Sequence, residues 1–426
     1  MKTPKIIKLP SGLKVILYSS EQLTTVTVLA LVKNGADYEN TQTNGVSHFI
    51  EHLVFKGSKN FPTPSKLAIE LDKIGADYNA FTSYEYTGYY IKTFPEYLTK
   101  AIEIISDIVI SPLFPEEEIE KERKVVLEEI KYYQDTPTKF VHHLIQETLY
   151  GNQPAGRDIL GTRETIKSLS KAKILNFYNN HYSSKNTTIV IAGNFSSKKA
   201  ITSIEKNFSK FTRSAVVKKI PAKTKVKDFN YAILKKDVKQ GHLVLAFQAD
   251  GIEKLKNTRF PFGVLTSVLG YGFSSRMFKL LRDELGVTYY LNVGLNLFTD
   301  RGYLQIQTGS DLPRLEKVLN LITREIKKLK TEKVGKDELE KSQAVLENYL
   351  LMSSETSDSL AFFWGFSCVI EKQMLSPKEI VKKIKSVKSE EILNLANQYF
   401  TPERANLALI LPEKPRFDIK KIFDKI

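Results

Sequence analysis

The 426-residue sequence is poor in the features that build disulfide frameworks, signal peptides and membrane spans. Its single cysteine, Cys368, has no intrachain partner, which excludes a disulfide scaffold. No apolar run reaches the length of a membrane span, and the charged N-terminal stretch lacks the continuous apolar core of a signal peptide. These absences predict a cytoplasmic protein with no membrane partner.

Acidic residues are outnumbered by basic ones, 48 to 63, which gives a formal net charge of +15. The lysines are spread along the chain and are not gathered in a tail, so the excess is typical of a solvated surface. Zinc-finger spacing, aromatic residues interleaved with basic ones and a recognition-helix pattern are all missing. We therefore predict no nucleic-acid partner, and whether the excess charge has a function stays open.

An internal repeat divides the chain into two halves. Residues 174–193, ILNFYNNHYSSKNTTIVIAG, are related to residues 392–411, ILNLANQYFTPERANLALIL, at an offset of 218 residues (392 − 174). Both have the pattern of a helix, a turn and an apolar strand. The repeat predicts an α+β fold with two homologous domains, each a mostly antiparallel sheet backed by helices. We place the domains at residues 1–215 and 230–426, joined by a basic linker at 216–229.

The stretch HFIEHLVF, residues 48–55, has the residue types of a metal site. On a helix, His48 and His52 lie one turn apart on the same face, and Glu51 lies beside them. This is the two-histidine zinc arrangement with the glutamate in reverse order, H-x-x-E-H. Five-residue patterns also occur by chance on half-exposed helices, so a third ligand has to decide between the two interpretations.

A third ligand is expected in the acid-rich segment FPEEEIEKERKVVLEEIKYYQD, residues 114–135. Helical spacing puts Glu122 and Glu129 on the apolar stripe, whereas Glu128 falls on a neighbouring charged stripe. A carboxylate that faces the core is costly unless it is paired or bound to a cation. A role as metal ligand, supported by a further acid, would remove that cost. Glu128 is the solvated alternative for the third ligand.

The combined motifs resemble those of the pitrilysin-type inverzincin metallopeptidases, in the branch of processing-peptidase-like subunits. The likeness extends over nearly the whole chain and rests on NGVSHFIEHLVFKGS, GADYNAFTSYEYTGYY, ERKVVLEEI and GFSSRMFKLLRDELGVTYY. Glu129 follows His52 by 77 residues (129 − 52), the downstream spacing of the family's glutamate ligand.

The resemblance implies a zinc-dependent endopeptidase that binds one zinc ion per chain. The implied zinc ligands are His48, His52 and Glu129. Glu51 is implied as the general base that takes a proton from water, and Glu122 as an acid that supports the ligands.

The second half has no counterpart of the metal motif, because LGYGFSSRMFKL stands where the first half has NGVSHFIEHLVF. The resemblance implies that Arg282 and Tyr289 of this half hold the substrate backbone over the zinc. Taken without it, Arg282 is a helix-surface cation and Tyr289 a strand aromatic. Tyr271 stands where relatives often have glycine, which leaves the conformation of this loop open.

The segment DYNAFTS, residues 77–83, is predicted to form an edge strand beside the metal helix. Exposed strand edges bind extended peptides through main-chain hydrogen bonds, which gives affinity without strict sequence choice. The resemblance implies that Asn79, Ala80, Phe81 and Thr82 form this substrate edge. The alternative is an interior strand of the sheet.

Family members of this length usually pair and enclose a chamber. The resemblance therefore implies a homodimer that cleaves short or unfolded peptides, with a heterodimer with a related subunit as the alternative. A non-catalytic binding or assembly subunit is the main rival function, and the intact set of ligands argues against it. The cleavage-site preference is left open.

Overall fold

The computed structural model describes residues 3–211, 216–224, 228–284, 286 and 290–426. The chain divides into two compact units. The first unit comprises residues 1–132, 157–221 and 352–376, and the second unit comprises residues 133–156, 222–351 and 377–426. None of the helices in the described ranges is both long enough and apolar enough to cross a membrane.

The described strands form two sheets. In chain order they are β1 (Lys5–Lys8), β2 (Lys14–Ser19), β3 (Val26–Val32), β4 (Asp77–Thr82), β5 (Thr87–Thr93), β6 (Thr187–Gly193), β7 (Asn230–Lys235), β8 (Gly241–Asp250), β9 (Leu291–Leu297), β10 (Arg301–Ser310) and β11 (Ala405–Leu411).

The helices surround these sheets. In chain order they are α1 (Val46–Leu53), α2 (Pro64–Lys73), α3 (Leu98–Ile110), α4 (Glu116–Asp135), α5 (Pro137–Tyr150), α6 (Arg163–Ser168), α7 (Lys171–His181), α8 (Ser197–Asn207), α9 (Ile252–Leu255), α10 (Arg259–Gly270), α11 (Arg276–Phe278), α12 (Leu312–Thr331), α13 (Lys336–Met352), α14 (Ser357–Val369), α15 (Pro377–Lys385), α16 (Ser389–Tyr399) and α17 (Ile419–Phe423). A π-helical stretch, Lys279–Glu284, follows α11.

The sheet of the first unit has the strand order β1-β2-β6-β3-β5-β4. Only the β2–β6 pair is parallel, and the other pairs are antiparallel. Every residue of the central strands β3 and β6 is buried, as expected from their largely apolar sequences. Helices α3 and α14 provide contacts to β3. Strand β4 lies at an edge, so the alternative of an interior strand is wrong.

The sheet of the second unit has the order β7-β11-β8-β10-β9, with a parallel β7–β11 pair. Its order repeats that of the first sheet from β2 to β4. The sequence repeat lies at corresponding places: α7 and α16 begin at residues 171 and 389, and β6 and β11 end at residues 193 and 411. The predicted α+β fold of two homologous halves, each with a mostly antiparallel sheet backed by helices, is confirmed.

Each unit takes one helix from the other half of the sequence. Helix α5, from the first half, packs on β11 and β8, and α14, from the second half, packs on β6 and β3. The compact units are therefore discontinuous, whereas the predicted division at residues 1–215 and 230–426 is contiguous. An amphipathic pattern shows that a helix has an apolar face, but it does not show which sheet that face covers.

Part of the predicted linker, residues 216–221, belongs to the first unit. Lys219 forms ion pairs with Glu85 and Asp37, whose side chains are buried. The backbone N–H of Ile220 donates to the carbonyl oxygen of Asp37 at 2.9 Å. A buried carboxylate needs a partner of opposite charge, so these contacts attach the segment to the first unit.

The close packing of α14 on the first sheet can be tested at Gly365. A Cβ at this buried glycine would lie 2.6 Å from Leu31 Cδ1 and 3.3 Å from Val190 Cγ2. We expect Gly365→Ala to lower the free energy of unfolding by about 1–3 kcal/mol through overpacking, measured by urea denaturation followed by circular dichroism.

Gly263 in α10 is the matched control, because its nearest neighbour for a Cβ is Leu346 Cδ1 at 3.9 Å. There the change to alanine should be neutral or stabilise the protein by up to about 1 kcal/mol, as expected from helix propensity. Equal effects of the two substitutions would contradict the packing described for α14.

Candidate metal centre

Helix α1 carries His48, Glu51 and His52, and its start is held by a buried acid. The carboxylate of Glu39 accepts hydrogen bonds from the backbone N–H groups of Gly45 and Ser47, both at 2.8 Å. A carboxylate at this place satisfies N–H groups that the helix leaves unpaired and interacts favourably with the helix dipole. Glu39 was not identified from the sequence, because its distance from the helix start matches no capping pattern.

Gly45 is required at the N-terminus of α1. Its φ is +89°, and a Cβ there would lie 2.6 Å from the carbonyl oxygen of Leu160. Only glycine adopts this conformation without strain and also tolerates so close a backbone. Helix α1 is therefore positioned by its surroundings before any metal is considered.

The structure brings the three predicted ligands together. Glu129 Oε2 lies 3.6 Å from His48 Nε2 and 3.7 Å from His52 Nε2. The two imidazole centroids are 4.7 Å apart, and one donor atom from each of the three residues can be chosen so that all lie within 4.8 Å of one another. Glu129 is half-buried, its side chain 29% exposed, whereas Glu128 is exposed.

The geometry of the three residues fits a zinc ion. Tetrahedral zinc with bonds of about 2.0–2.1 Å places its ligand atoms roughly 3.4 Å apart. The observed distances from Glu129 to the two histidines, 3.6 and 3.7 Å, are close to this value and too long for good hydrogen bonds. Burial, with a smaller effect of His52, lowers the pKa of His48 to about 3, so its imidazole is neutral and has a lone pair to offer.

Glu122 supports one of the two histidines. It is buried on α4, and its Oε2 accepts a hydrogen bond of 3.1 Å from His52 Nδ1. Because the ionised carboxylate can only accept, Nδ1 carries the proton and Nε2 is left free for a metal. Burial opposes ionisation of Glu122, but hydrogen bonds from His52 and Lys56 outweigh it and lower the pKa of the carboxyl.

His48 lacks a comparable support. Its Nδ1 is buried and has no hydrogen-bond partner among the described residues. His48 is held by its burial and by contact with the His52 ring, whereas His52 is oriented by a specific acid.

Glu51 lines a cleft together with His52 and is hydrogen-bonded to strand β4. The hydroxyl of Thr82 donates to Glu51 Oε2. Burial raises the pKa of Glu51, and the hydrogen bond from Thr82 opposes that effect. The cleft has a volume of about 230 Å³, and its walls include Glu51, His52, Phe55, Lys56, Asn79 and Ala80.

The four predicted substrate-edge residues point in different directions, as alternation along a strand requires. Thr82 contacts Glu51, whereas the ring of Phe81 packs against Phe362 of α14, with ring centroids 5.5 Å apart. Asn79 Oδ1 accepts a hydrogen bond of 2.8 Å from the backbone N–H of Ala80. Phe81 therefore supports the strand from the opposite face and does not line the cleft.

Arg282 lies in the π-helical stretch of the second unit and is exposed, with its guanidinium 5.1 Å from the ring centroid of Phe278. Tyr289 lies outside the described residues. Their predicted roles remain predictions.

Tyr271 has φ −93° and ψ 120°, an extended conformation open to any residue, while the adjacent Gly272 has φ +83°. The loop thus accommodates tyrosine because the left-handed position is taken by glycine.

Comparisons with known proteins agree with this fold. Residues 14–163 match the family described as Insulinase (Peptidase family M16), and residues 168–346 match the Peptidase M16 inactive domain. An "Uncharacterized zinc protease" of Rickettsia felis is 33% identical over 399 residues, which cover 93% of this chain and 95% of that protein. The chain belongs to the M16 family of peptidases, and the resemblance inferred from its motifs is confirmed.

Two further proteins are similar to this chain. The "Mitochondrial-processing peptidase subunit beta" of Neurospora crassa is 27% identical, with 97% of this chain and 89% of that protein covered. The crystal structure of a protease from Helicobacter pylori has a TM-score of 0.90 at 22% identity, covering 96% of this chain and all of that one. The second comparison shows a shared fold.

The distinction between adjacent glutamates of α4 gives a direct test of the metal centre. We expect Glu129→Gln to raise the zinc dissociation constant by more than the roughly 10–100-fold typical of residues that only support a ligand, because a charged donor is lost. Glu128→Gln is the matched control and should leave the constant unchanged. Competition with a chromogenic chelator measures both, and the reverse order of effects would show that the third ligand is misassigned.

Proposed function

We propose that this chain is a zinc-dependent endopeptidase that hydrolyses short or unfolded peptides bound as extended strands. The observation that carries the proposal is the convergence of His48, His52 and Glu129, together with the Glu51 carboxylate, which lines a cleft that His52 also lines. Membership of the M16 peptidases and the zinc-protease names of relatives support it.

His48, His52 and Glu129 would hold one zinc ion. When bound, zinc polarises the peptide carbonyl and lowers the pKa of water to about 7. These three ligands leave one tetrahedral position open, which is the arrangement of catalytic rather than structural zinc sites. Glu122 keeps His52 in the tautomer that presents Nε2 to the ion.

Glu51 acts as the general base. The hydroxyl of Thr82 donates to its Oε2. Its Oε1 has no hydrogen-bond partner among the described residues and is available to accept a proton from water. The same carboxylate then returns that proton to the nitrogen of the leaving amine. Proton transfer by a positioned carboxylate accounts for about 10²–10⁴-fold of the rate.

Strand β4 provides the binding edge. A peptide added to this edge would be held by main-chain hydrogen bonds, which do not depend on its sequence. The N–H of Ala80 is bonded to Asn79 Oδ1 in the free protein, so a substrate carbonyl would replace that amide. Phe81 packs on the far side and contributes by holding the strand in place.

We also propose that Arg282 and Tyr289 contact the substrate backbone and that two chains assemble into a homodimer that encloses a chamber. These parts of the proposal rest on the family resemblance. The Neurospora crassa relative is named as a subunit of a processing peptidase, which favours a heterodimer as the alternative assembly.

The proposed chemistry separates metal binding from proton transfer. We expect Glu51→Gln to retain zinc and the fold but to lose peptide cleavage by at least about 10²-fold, since the amide cannot accept the proton. Cleavage of an unstructured fluorogenic peptide, zinc content and circular dichroism are measured on the same preparations. Chelation of the wild type should abolish cleavage, and added zinc should restore it.

Glu128→Gln serves as the matched control, because it changes an exposed carboxylate of the same chemistry. Near-normal turnover by Glu51→Gln would remove Glu51 from the role of base. A wild type that binds zinc and cleaves no peptide would instead favour the non-catalytic binding subunit.

A further inference from the structure

A lysine that the family motif does not assign completes the supporting structure of the metal centre. Lys56 follows α1, four residues after His52, and its ammonium lies 2.8 Å from Glu122 Oε1. The other oxygen of the same carboxylate, Oε2, bonds His52 Nδ1 at 3.1 Å. Glu122 is thus held between an imidazole and an ammonium, one on each oxygen.

The burial of this ion pair distinguishes it from an ordinary surface pair. The side chain of Glu122 is 8% exposed and that of Lys56 is 28% exposed. Exposed ion pairs have little energetic effect, whereas removing one partner of a buried pair leaves a charge uncompensated. Lys56 supplies a positive charge to Glu122 Oε1, the carboxylate oxygen that does not bond His52.

We propose that Lys56 is a positioning residue of the metal centre, which holds Glu122 against His52 and thereby directs His52 Nε2 toward Glu129. This inference rests on the proposed zinc-dependent function. With Oε1 unpaired, the carboxylate of Glu122 can turn about its terminal torsion, which is broad, and the hydrogen bond to Nδ1 loses its fixed direction. The orientation of His52 then becomes variable, as does the separation of its Nε2 from Glu129, now 3.7 Å.

Zinc binding is sensitive to the loss of a fixed His52 orientation, because the other histidine ligand, His48, is not oriented by any acid in the described part of the chain. His48 Nδ1 has no hydrogen-bond partner among the described residues, so Glu122 is the acid that orients an imidazole here. Residues that support a ligand in this way typically change metal affinity about 10–100-fold when they are replaced.

Lys56 also forms part of the cleft wall together with Glu51 and Asn79, which raises the alternative that it contacts the substrate. A substrate contact changes KM and leaves the empty metal centre unaffected. A positioning role changes zinc affinity in the absence of any peptide. The two roles are therefore separable.

The test compares Lys56→Met with Lys59→Met in the full-length protein. Lys59 is an exposed residue of the same segment, and it forms no ion pair among the described residues, so its replacement removes the same charge without touching Glu122. Zinc dissociation constants come from chelator competition, and the visible absorption bands of the cobalt-substituted protein report the ligand geometry. Lys56→Met should raise the zinc dissociation constant about 10–100-fold and shift the cobalt bands. Lys59→Met should do neither.

A double-mutant cycle shows whether Lys56 acts through Glu122. Glu122→Gln should weaken zinc binding on its own, and adding Lys56→Met to it should cause little further loss, because both changes disable one unit. Fully additive losses would overturn the proposal. If Lys56→Met does not fold, Lys56→Arg is measured instead. The expected result is a zinc affinity between those of the wild type and Glu122→Gln, together with displaced cobalt bands.

The outcomes distinguish this inference from the function on which it rests. A wild type that binds no zinc overturns both. Wild-type zinc affinity and an unchanged cobalt spectrum in Lys56→Met overturn the role of Lys56 alone, and so does a change confined to KM.

Discussion

The site depends on the position of helix α4 beside helix α1, where side chains of the two helices meet. Ile119, Val126 and Ile130 bury one face of α4, and this burial sets the rotation of the helix. At that rotation, Glu122 reaches His52 and Glu129 reaches both imidazoles. A second contact joins the same two helices, because the Arg123 guanidinium lies 5.6 Å from the ring centroid of Phe49. Apolar burial thus places the charged groups, and their interactions then refine the geometry.

Helix α1 is only eight residues long, and a helix of this length has little stability of its own. Its apolar side chains are buried, and two buried carboxylates hold its ends, Glu39 at the first turn and Glu122 beside His52. Each acid satisfies several donors, which offsets the cost of burying its charge. A short helix that is held at both ends has little freedom to bend, so the two histidines on it keep a fixed separation.

Sequence patterns predicted the parts of the site that follow from local periodicity. The helical spacing of two histidines placed both rings on one face, and the stripe on α4 separated Glu129 from the exposed Glu128. The stripe overstated the burial of Glu129, because that carboxylate is partly exposed beside the two histidines while Ile130 is buried. The resemblance grouped Phe81 and Thr82 in one substrate edge, and only the tertiary contacts showed that Thr82 meets Glu51 while Phe81 packs on α14.

The amino-acid sequence by itself determined the class of fold, the repeat and the candidate ligands. Residue type and helical spacing put His48 and His52 on one face, and the resemblance to a known family selected Glu129 as the third ligand. The tertiary structure decided the partners of Glu39 and Lys56 and the assignment of α5 and α14 to opposite units. Those features depend on which surfaces meet after folding. An apolar face or a charged side chain specifies the kind of partner it needs, and many segments of the chain could supply it, so only the complete packing selects one.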